Sequence, residues 1–205
     1  MSQKTAALFL NGDAPNPLAM QHAMQENPAF FICTDGAFYY MNALKIKPNV
    51  VIGDMDSLSD APQDIEVVFI ADQDTTDFEK ALQYLVEHDF EKVVVLGSTG
   101  GQHDHFLGNL NAAYKFREQL DICFFDQSQY FFLSNTTQKL NTKPGKIVSL
   151  FPFPSASGIT LSGFQYLLNN EDLSLLDRVG TRNIASLESP EIHFKLGDLW
   201  IFVEY

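Results

Sequence analysis

The stretch Asn49-Val50-Val51-Ile52-Gly53-Asp54-Met55-Asp56-Ser57 runs directly from an apolar segment into a loop that carries two carboxylates. A continuous apolar run, without alternation, suits a strand buried on both faces, as in a parallel sheet covered by helices. In an extended chain, side chains two residues apart point the same way, so Asp54 and Asp56 are expected to project together while Met55 turns back into the protein. At about 4 Å and an effective dielectric near 20, such a pair repels by roughly 4 kcal/mol, comparable to much of a domain's net stability. A cation, a raised pKa on one carboxylate, or splaying into water must relieve that repulsion.

Similar apolar runs recur at Ala6–Leu10, Phe30–Cys33, Val67–Ala71, Val93–Leu96 and Ile122–Phe125, several of them separated by segments of helical character. The pattern predicts buried parallel strands in an α/β arrangement. Polar loops follow the runs: Asn11-Gly12-Asp13, Asp35-Gly36, Gly53 to Ser57, Asp72-Gln73-Asp74-Thr75-Thr76-Asp77, and Gly97 to His105. In an open α/β sheet the loops after the carboxyl ends of the strands share one edge, where ligands bind, so these loops should face one crevice.

Thr76-Asp77-Phe78-Glu79 has the form of a capping box, and Phe78, Ala81, Leu82, Leu85 and Val86 make one apolar helical face. Asp77 therefore opens a helix, where an acidic residue can serve the dipole alone. Gly97 to Gly101 leads into a helix expected near His105, with Leu107, Leu110, Asn111 and Tyr114 following. Adjacent glycines allow backbone N–H groups to approach phosphate closely, although a flexible strand-to-helix turn has the same composition. His103 and His105 flank Asp104 without the further His or Cys that a zinc site needs; capping or phosphate contacts suit them better.

The chain has 205 residues, 45% hydrophobic and 19% charged, which supports one large domain or two small ones. Its formal net charge of -13, with 13 Lys and Arg, argues against a nucleic-acid binder and suits cationic or metal-chelated ligands. Cys33 and Cys123 lie in separate apolar runs without CxxC spacing, as expected of buried thiols in a reducing compartment. Met1-Ser2-Gln3-Lys4-Thr5 lacks the character of a signal peptide and no run reaches the roughly 18 apolar residues of a membrane span, so a cytoplasmic protein is expected.

From about Phe125 the texture changes to short β-like runs at Tyr130–Leu133, Lys146–Phe151, Ile159–Leu161, Ile192–Leu196 and Leu199–Val203. Lys143-Pro144-Gly145 and Leu196-Gly197-Asp198 supply turns between them. The boundary is placed between residues 1–125 and 126–205, an α/β domain followed by an all-β domain. Most of the 18 Phe residues, and Trp200, read as packing.

In this order, Asp35-Gly36, Gly53 to Ser57, Asp72 to Phe78 and Gly97 to His105 resemble the thiamine pyrophosphokinase family. Ser162-Gly163-Phe164-Gln165-Tyr166 and Gly180-Thr181-Arg182-Asn183 extend the likeness, and Leu196 to Trp200 resembles the family's closing strand. The resemblance implies a Rossmann-like, mostly parallel sheet with helices, followed by a β-sandwich. It implies transfer of pyrophosphate from ATP to thiamine, releasing AMP, with Mg²⁺ held by Asp54, Asp56 and Asp77. Asp104 joins these as a catalytic candidate, while Asp35, Gln73, Asp74, Gly100, Gly101, Gln102 and His105 are candidates for nucleotide contacts. Tyr166, Arg182 and Asn183 are the candidates for thiamine, which the family binds between subunits, implying a homodimer.

Two positions depart from the family pattern. Gln102 stands where Arg is usual, replacing a bidentate phosphate donor with a neutral amide, and Arg182 stands where Ser is usual. Two other readings therefore stay open: a thiamine- or nucleotide-binding protein without turnover, and a metal-dependent nucleotide-sugar glycosyltransferase, whose chemistry also uses Asp-x-Asp.

Overall fold

The computed structural model describes residues 3–58 and 64–205; Met1 and Ser2 of the N-terminal stretch lie outside them. The chain divides into two units, Met1–Gln127 and Ser128–Tyr205. The first is α/β and the second is β-rich.

In the first unit, β1 (Thr5–Phe9), α1 (Pro17–Met24), β2 (Phe30–Thr34), α2 (Phe38–Ala43), β3 (Val50–Gly53), β4 (Glu66–Phe69), α3 (Asp77–Glu87), β5 (Lys92–Leu96), α4 (His103–Phe116) and β6 (Asp121–Phe125) follow in sequence. The strands are parallel in the order β4-β3-β2-β1-β5-β6. The central ones are apolar throughout because both faces are covered: Ala6 to Phe9 and Val93 to Leu96 are fully buried. Burying each Val, Leu or Phe contributes about 1.5–3 kcal/mol. β4 differs from the expected buried strand. It is the sheet's edge, with Phe69 64% exposed, so the apolar run marked a strand but not its burial.

The chain builds outward from β1 to β4 and then returns to place β5 on the other side of β1. The direction of winding thus reverses between β1 and β5, the position at which open α/β sheets form a crevice beyond the strand ends. Backbone bonds zip the two following loops together: Gly12 N donates to Gly97 O at 2.9 Å and Asp13 N to Thr99 O at 2.7 Å. Gly12 allows this approach, since a Cβ there would overlap the carbonyl oxygens of Gly97 and Thr99.

The second unit contains β7 (Gln129–Ser134), β8 (Gln138–Lys139), β9 (Ile147–Ser162), β10 (Asn169–Ser174), β11 (Gly180–Ile184), β12 (Glu191–His193) and β13 (Leu196–Glu204). The expected strands at Lys146–Phe151, apart from Lys146 itself, and Ile159–Leu161 are parts of one 16-residue strand, β9, which pairs antiparallel with β10, β11, β12 and β13. Val148, Leu150, Ile159, Leu199, Ile201 and Val203 pack in one core cluster, while Trp200 meets Phe131 edge-on at 6.1 Å. The turn at Pro144-Gly145 forms as expected, with Lys146 N donating to Lys143 O at 3.2 Å. Leu196-Gly197-Asp198 does not turn: it is a bulge inside β13, where Gly197 has φ +93° and a Cβ would overlap Ser155 O.

Candidate active site

The register of β2 and β3 determines which carboxylates meet. Thr34 is level with Ile52, so Asp35 emerges beside Gly53, with Asp54 one residue beyond. Asp77 arrives at the start of α3. Its cap is the one expected: Thr76 Oγ1 accepts from Glu79 N at 3.2 Å, and Glu79 Oε2 accepts from Thr76 N at 3.1 Å. Glu79 also pairs with Lys115 of α4, which braces this helix start. Carboxylate oxygens of Asp35, Asp54 and Asp77 all lie within 4.8 Å of one another, the one group of this kind among the described residues that could hold a metal ion. Gly53 makes room between them, since a Cβ there would sit 3.3 Å from the carboxyl carbons of both Asp35 and Asp77.

Asp56 lines the same cleft but is not in this trio. The loop is not extended as expected, since Met55 has φ +62°, but Asp54 and Asp56 remain neighbours: Asp56 N donates to Asp54 Oδ1 at 3.2 Å and their side chains also interact. Asp35, which the sequence reading gave to the nucleotide, lies in the trio, and Asp56, which it gave to the metal, lies outside it.

The carboxylates are not equivalent. Asp35 is 2% exposed, and burial raises its pKa, against the lowering effect of bonds from Gly36 N at 2.6 Å and Ser57 N at 3.2 Å; Asp77 and Asp56 add to the rise. Asp54 is shifted down, first by the 2.9 Å bond that Gln73 Nε2 donates to its Oδ2. A cation also stands against the cluster, since Lys80 Nζ lies 2.9 Å from Asp77 Oδ1.

The cleft that these residues floor has a volume of about 510 Å³ and lies wholly within the first unit. Gln73, Gly100, Gly101, Gln102, Asp104 and His105 line it; Asp74 does not, and its N–H instead donates to Asp72 Oδ1 at 3.1 Å. α4 begins at His103, two residues before the expected start, with Gln102 as its N-cap and Asp104 in its first turn. Its buried face is Leu110, Ala112 and Ala113, whereas Leu107 is 64% exposed. Gly100 and Gly101 have φ of +83° and +67°, and nothing lies within 4 Å of a Cβ on Gly101, which leaves its backbone approachable.

Sequence reasoning gave no role to several lining residues, among them Lys80, Thr34 and Ser98. Lys80 is 5% exposed, and the hydroxyls of Thr34 and Ser98 are buried without a hydrogen-bond partner among the described residues. Buried orphan hydroxyls beside an open cleft are suited to a polar ligand. Their signal in the sequence is only that each follows or ends a strand, or opens a helix, at the polar edge.

The three candidates in the second unit separate into two kinds. Asn183 is buried, and its side chain is committed to backbone: Oδ1 accepts from Tyr166 N at 3.0 Å and Nδ2 donates to Tyr166 O at 2.7 Å. Tyr166 is thereby fixed while its side chain is 60% exposed. Arg182 is exposed at φ +58°, with its N–H donating to Ser149 Oγ at 2.9 Å.

Comparison with known proteins matches both units. Residues 21–124 match the thiamin pyrophosphokinase catalytic domain, and residues 136–198 match the thiamin pyrophosphokinase vitamin B1 binding domain. Thiamine pyrophosphokinase 1 of Oryza sativa subsp. japonica is 30% identical over 176 residues, spanning 77% of this chain and 66% of that protein. Thiamine pyrophosphokinase 2 of Arabidopsis thaliana is 28% identical over 229 residues, spanning 95% and 84%. The solved thiamine pyrophosphokinase from Bacillus subtilis shares the fold with a TM-score of 0.84 at 23% identity, covering 98% of this chain and 99% of that one. The thiamin pyrophosphokinase from Candida albicans does so at 0.81 and 18% identity, covering 98% and 89%. The chain belongs to the thiamine pyrophosphokinase family, ATP-dependent enzymes that transfer a pyrophosphoryl group to thiamine.

Proposed function

We propose that Asp35, Asp54 and Asp77 form the Mg²⁺ centre of this pyrophosphoryl transfer, and that Asp56 serves it from the rim of the cleft. The observation that carries the reading is the convergence of three carboxylate oxygens within 4.8 Å. Oxygens sharing one octahedral ion at 2.0–2.1 Å are about 2.9 Å apart when cis and about 4.2 Å when trans, so the trio, lying within 4.8 Å, would draw together by up to about 2 Å on binding. Oxygen-only donors also suit this hard cation. Bound there, Mg²⁺ would supply neutralisation of phosphate charge.

The remaining work falls to the protein. Gln73 orients Asp54 through its 2.9 Å bond. The backbone N–H groups around Gly100 and Gly101, with Gln102 and His105, receive the nucleotide phosphates at the start of α4. Asp104 is placed to orient or deprotonate the attacking hydroxyl of thiamine. In-line attack on the β-phosphorus of ATP forms the new P–O bond and breaks the bond to AMP, with positioning supplying much of the acceleration. Tyr166 and Arg182 contact thiamine, and Asn183 positions Tyr166.

Several finer readings belong to the same proposal. The parallel order and its reversal at β1/β5 support a Rossmann-like first unit, and the antiparallel pairing around β9 supports a β-sandwich second unit. A homodimer is supported by large apolar side chains left in solvent on the second unit, including Leu167, Leu176, Leu187 and Leu196. Two free cysteines support a cytoplasmic setting. No helix among the described residues is long and apolar enough to cross a membrane.

Purified protein with Mg²⁺, ATP and thiamine should yield thiamine diphosphate and AMP in equal amounts, and chelation should stop both. Production of ADP would overturn the pyrophosphoryl assignment.

A further inference from the structure

Among the described residues, Lys80 is the one Lys or Arg that lines the cleft, and its local setting is unfavourable to a cation. Its side chain is 4% exposed, and burying an ammonium is costly unless it is paired. It also ends the first turn of α3, near the positive pole of the helix dipole. An apolar side chain of similar length would avoid both penalties. What balances them is the carboxylate cluster: Lys80 Nζ lies 2.9 Å from Asp77 Oδ1, and its field reaches Asp54, adding to the effect of Gln73 there. The Gly97 to Gln102 turn contains no Lys or Arg, so Lys80 is also the permanent positive charge available to an anion in this cleft.

We propose that Lys80 is a resident counter-ion with two successive partners. Its ammonium holds Asp77 in the metal-free protein and competes with Mg²⁺ for that carboxylate. Released from Asp77, it pairs with a phosphate oxygen of the nucleotide. The flexible four-carbon stem allows Nζ to change partner without movement of α3. This rests on the reading of Asp77 as a metal ligand.

The two roles predict effects of opposite sign, which a merely structural lysine would not produce. Calorimetric titration with Mg²⁺ alone should show Lys80→Met binding the ion about tenfold more tightly than the unsubstituted protein. Titration with Mg²⁺ and α,β-methylene-ATP, which cannot release AMP, should show the same variant binding the nucleotide about tenfold more weakly. Lys80→Arg should recover nucleotide affinity to within about threefold, because it restores the charge. Unchanged or weaker Mg²⁺ binding by Lys80→Met would overturn the competition, and unchanged nucleotide affinity would overturn the second partnership. Absence of Mg²⁺ binding in both titrations of the unsubstituted protein would overturn the metal reading itself, and this proposal with it. If Lys80→Met does not fold, Lys80→Gln carries the same tests.

Discussion

The Gly97 to Gly101 turn of the first unit and the Gly197 bulge of the second both hold glycine at positive φ, +67° to +83° in one and +93° in the other. Their surroundings differ. At Gly101 the backbone faces open space, whereas at Gly197 it lies against the backbone of Ser155 in the neighbouring strand. In the first case the missing side chain leaves room for a ligand; in the second it lets the chain pack against itself. Substitutions along the polar edge of the first unit should therefore change chemistry more than stability, and those at the bulge should do the reverse.

The strongest test of that contrast is Asp54→Ala. The residue is only half-buried, so the melting temperature should barely move, while turnover falls by about 10²–10³-fold. Steady-state rates alongside calorimetric melting check both halves, and a near-normal rate would remove Asp54 from the metal centre. Next in size is Gly197→Ala, which forces a Cβ onto Ser155 O at a left-handed backbone position. Denaturant unfolding should show a loss of about 2–4 kcal/mol. Melting unchanged from the parent would mean that the bulge relaxes freely, and the contrast would lose its second side. The smallest effect is expected from Gln102→Arg at the mouth of the cleft. Adding a guanidinium near the phosphates should lower KM for ATP about three- to tenfold with little change in melting. An unchanged or raised KM would show that Gln102 does not face the nucleotide.

The strands of the first unit were legible because complete burial leaves a one-dimensional mark: each apolar run is followed by a polar loop, and the runs at Phe30, Val50 and Val93 all lie in strands. The capping box at Thr76 was legible for a similar reason, since both partners lie within three residues. What the sequence could not show depends on lateral neighbours. Asp35 follows a strand with no acidic pattern around it and joins Asp54 only because β2 and β3 are adjacent in register. Lys80 lies beside the apolar stripe of α3 and is buried all the same, which helical periodicity does not indicate. The turn between Asp54 and Asp56 was not legible either, because the pairing argument assumed an extended backbone that Met55 does not adopt. In the second unit, β9 was divided in two because its middle, Pro152 to Gly158, contains residues that normally punctuate a chain, yet they lie within one strand.

The unequal accessibility of Asp35 and Asp54 has a kinetic corollary. A cation entering the proposed centre from solvent would meet Asp54 first, and it would have to shed more of its hydration to reach Asp35, which is 2% exposed. In that centre a substitution at position 35 would shorten the dwell of the ion more than it would slow its arrival.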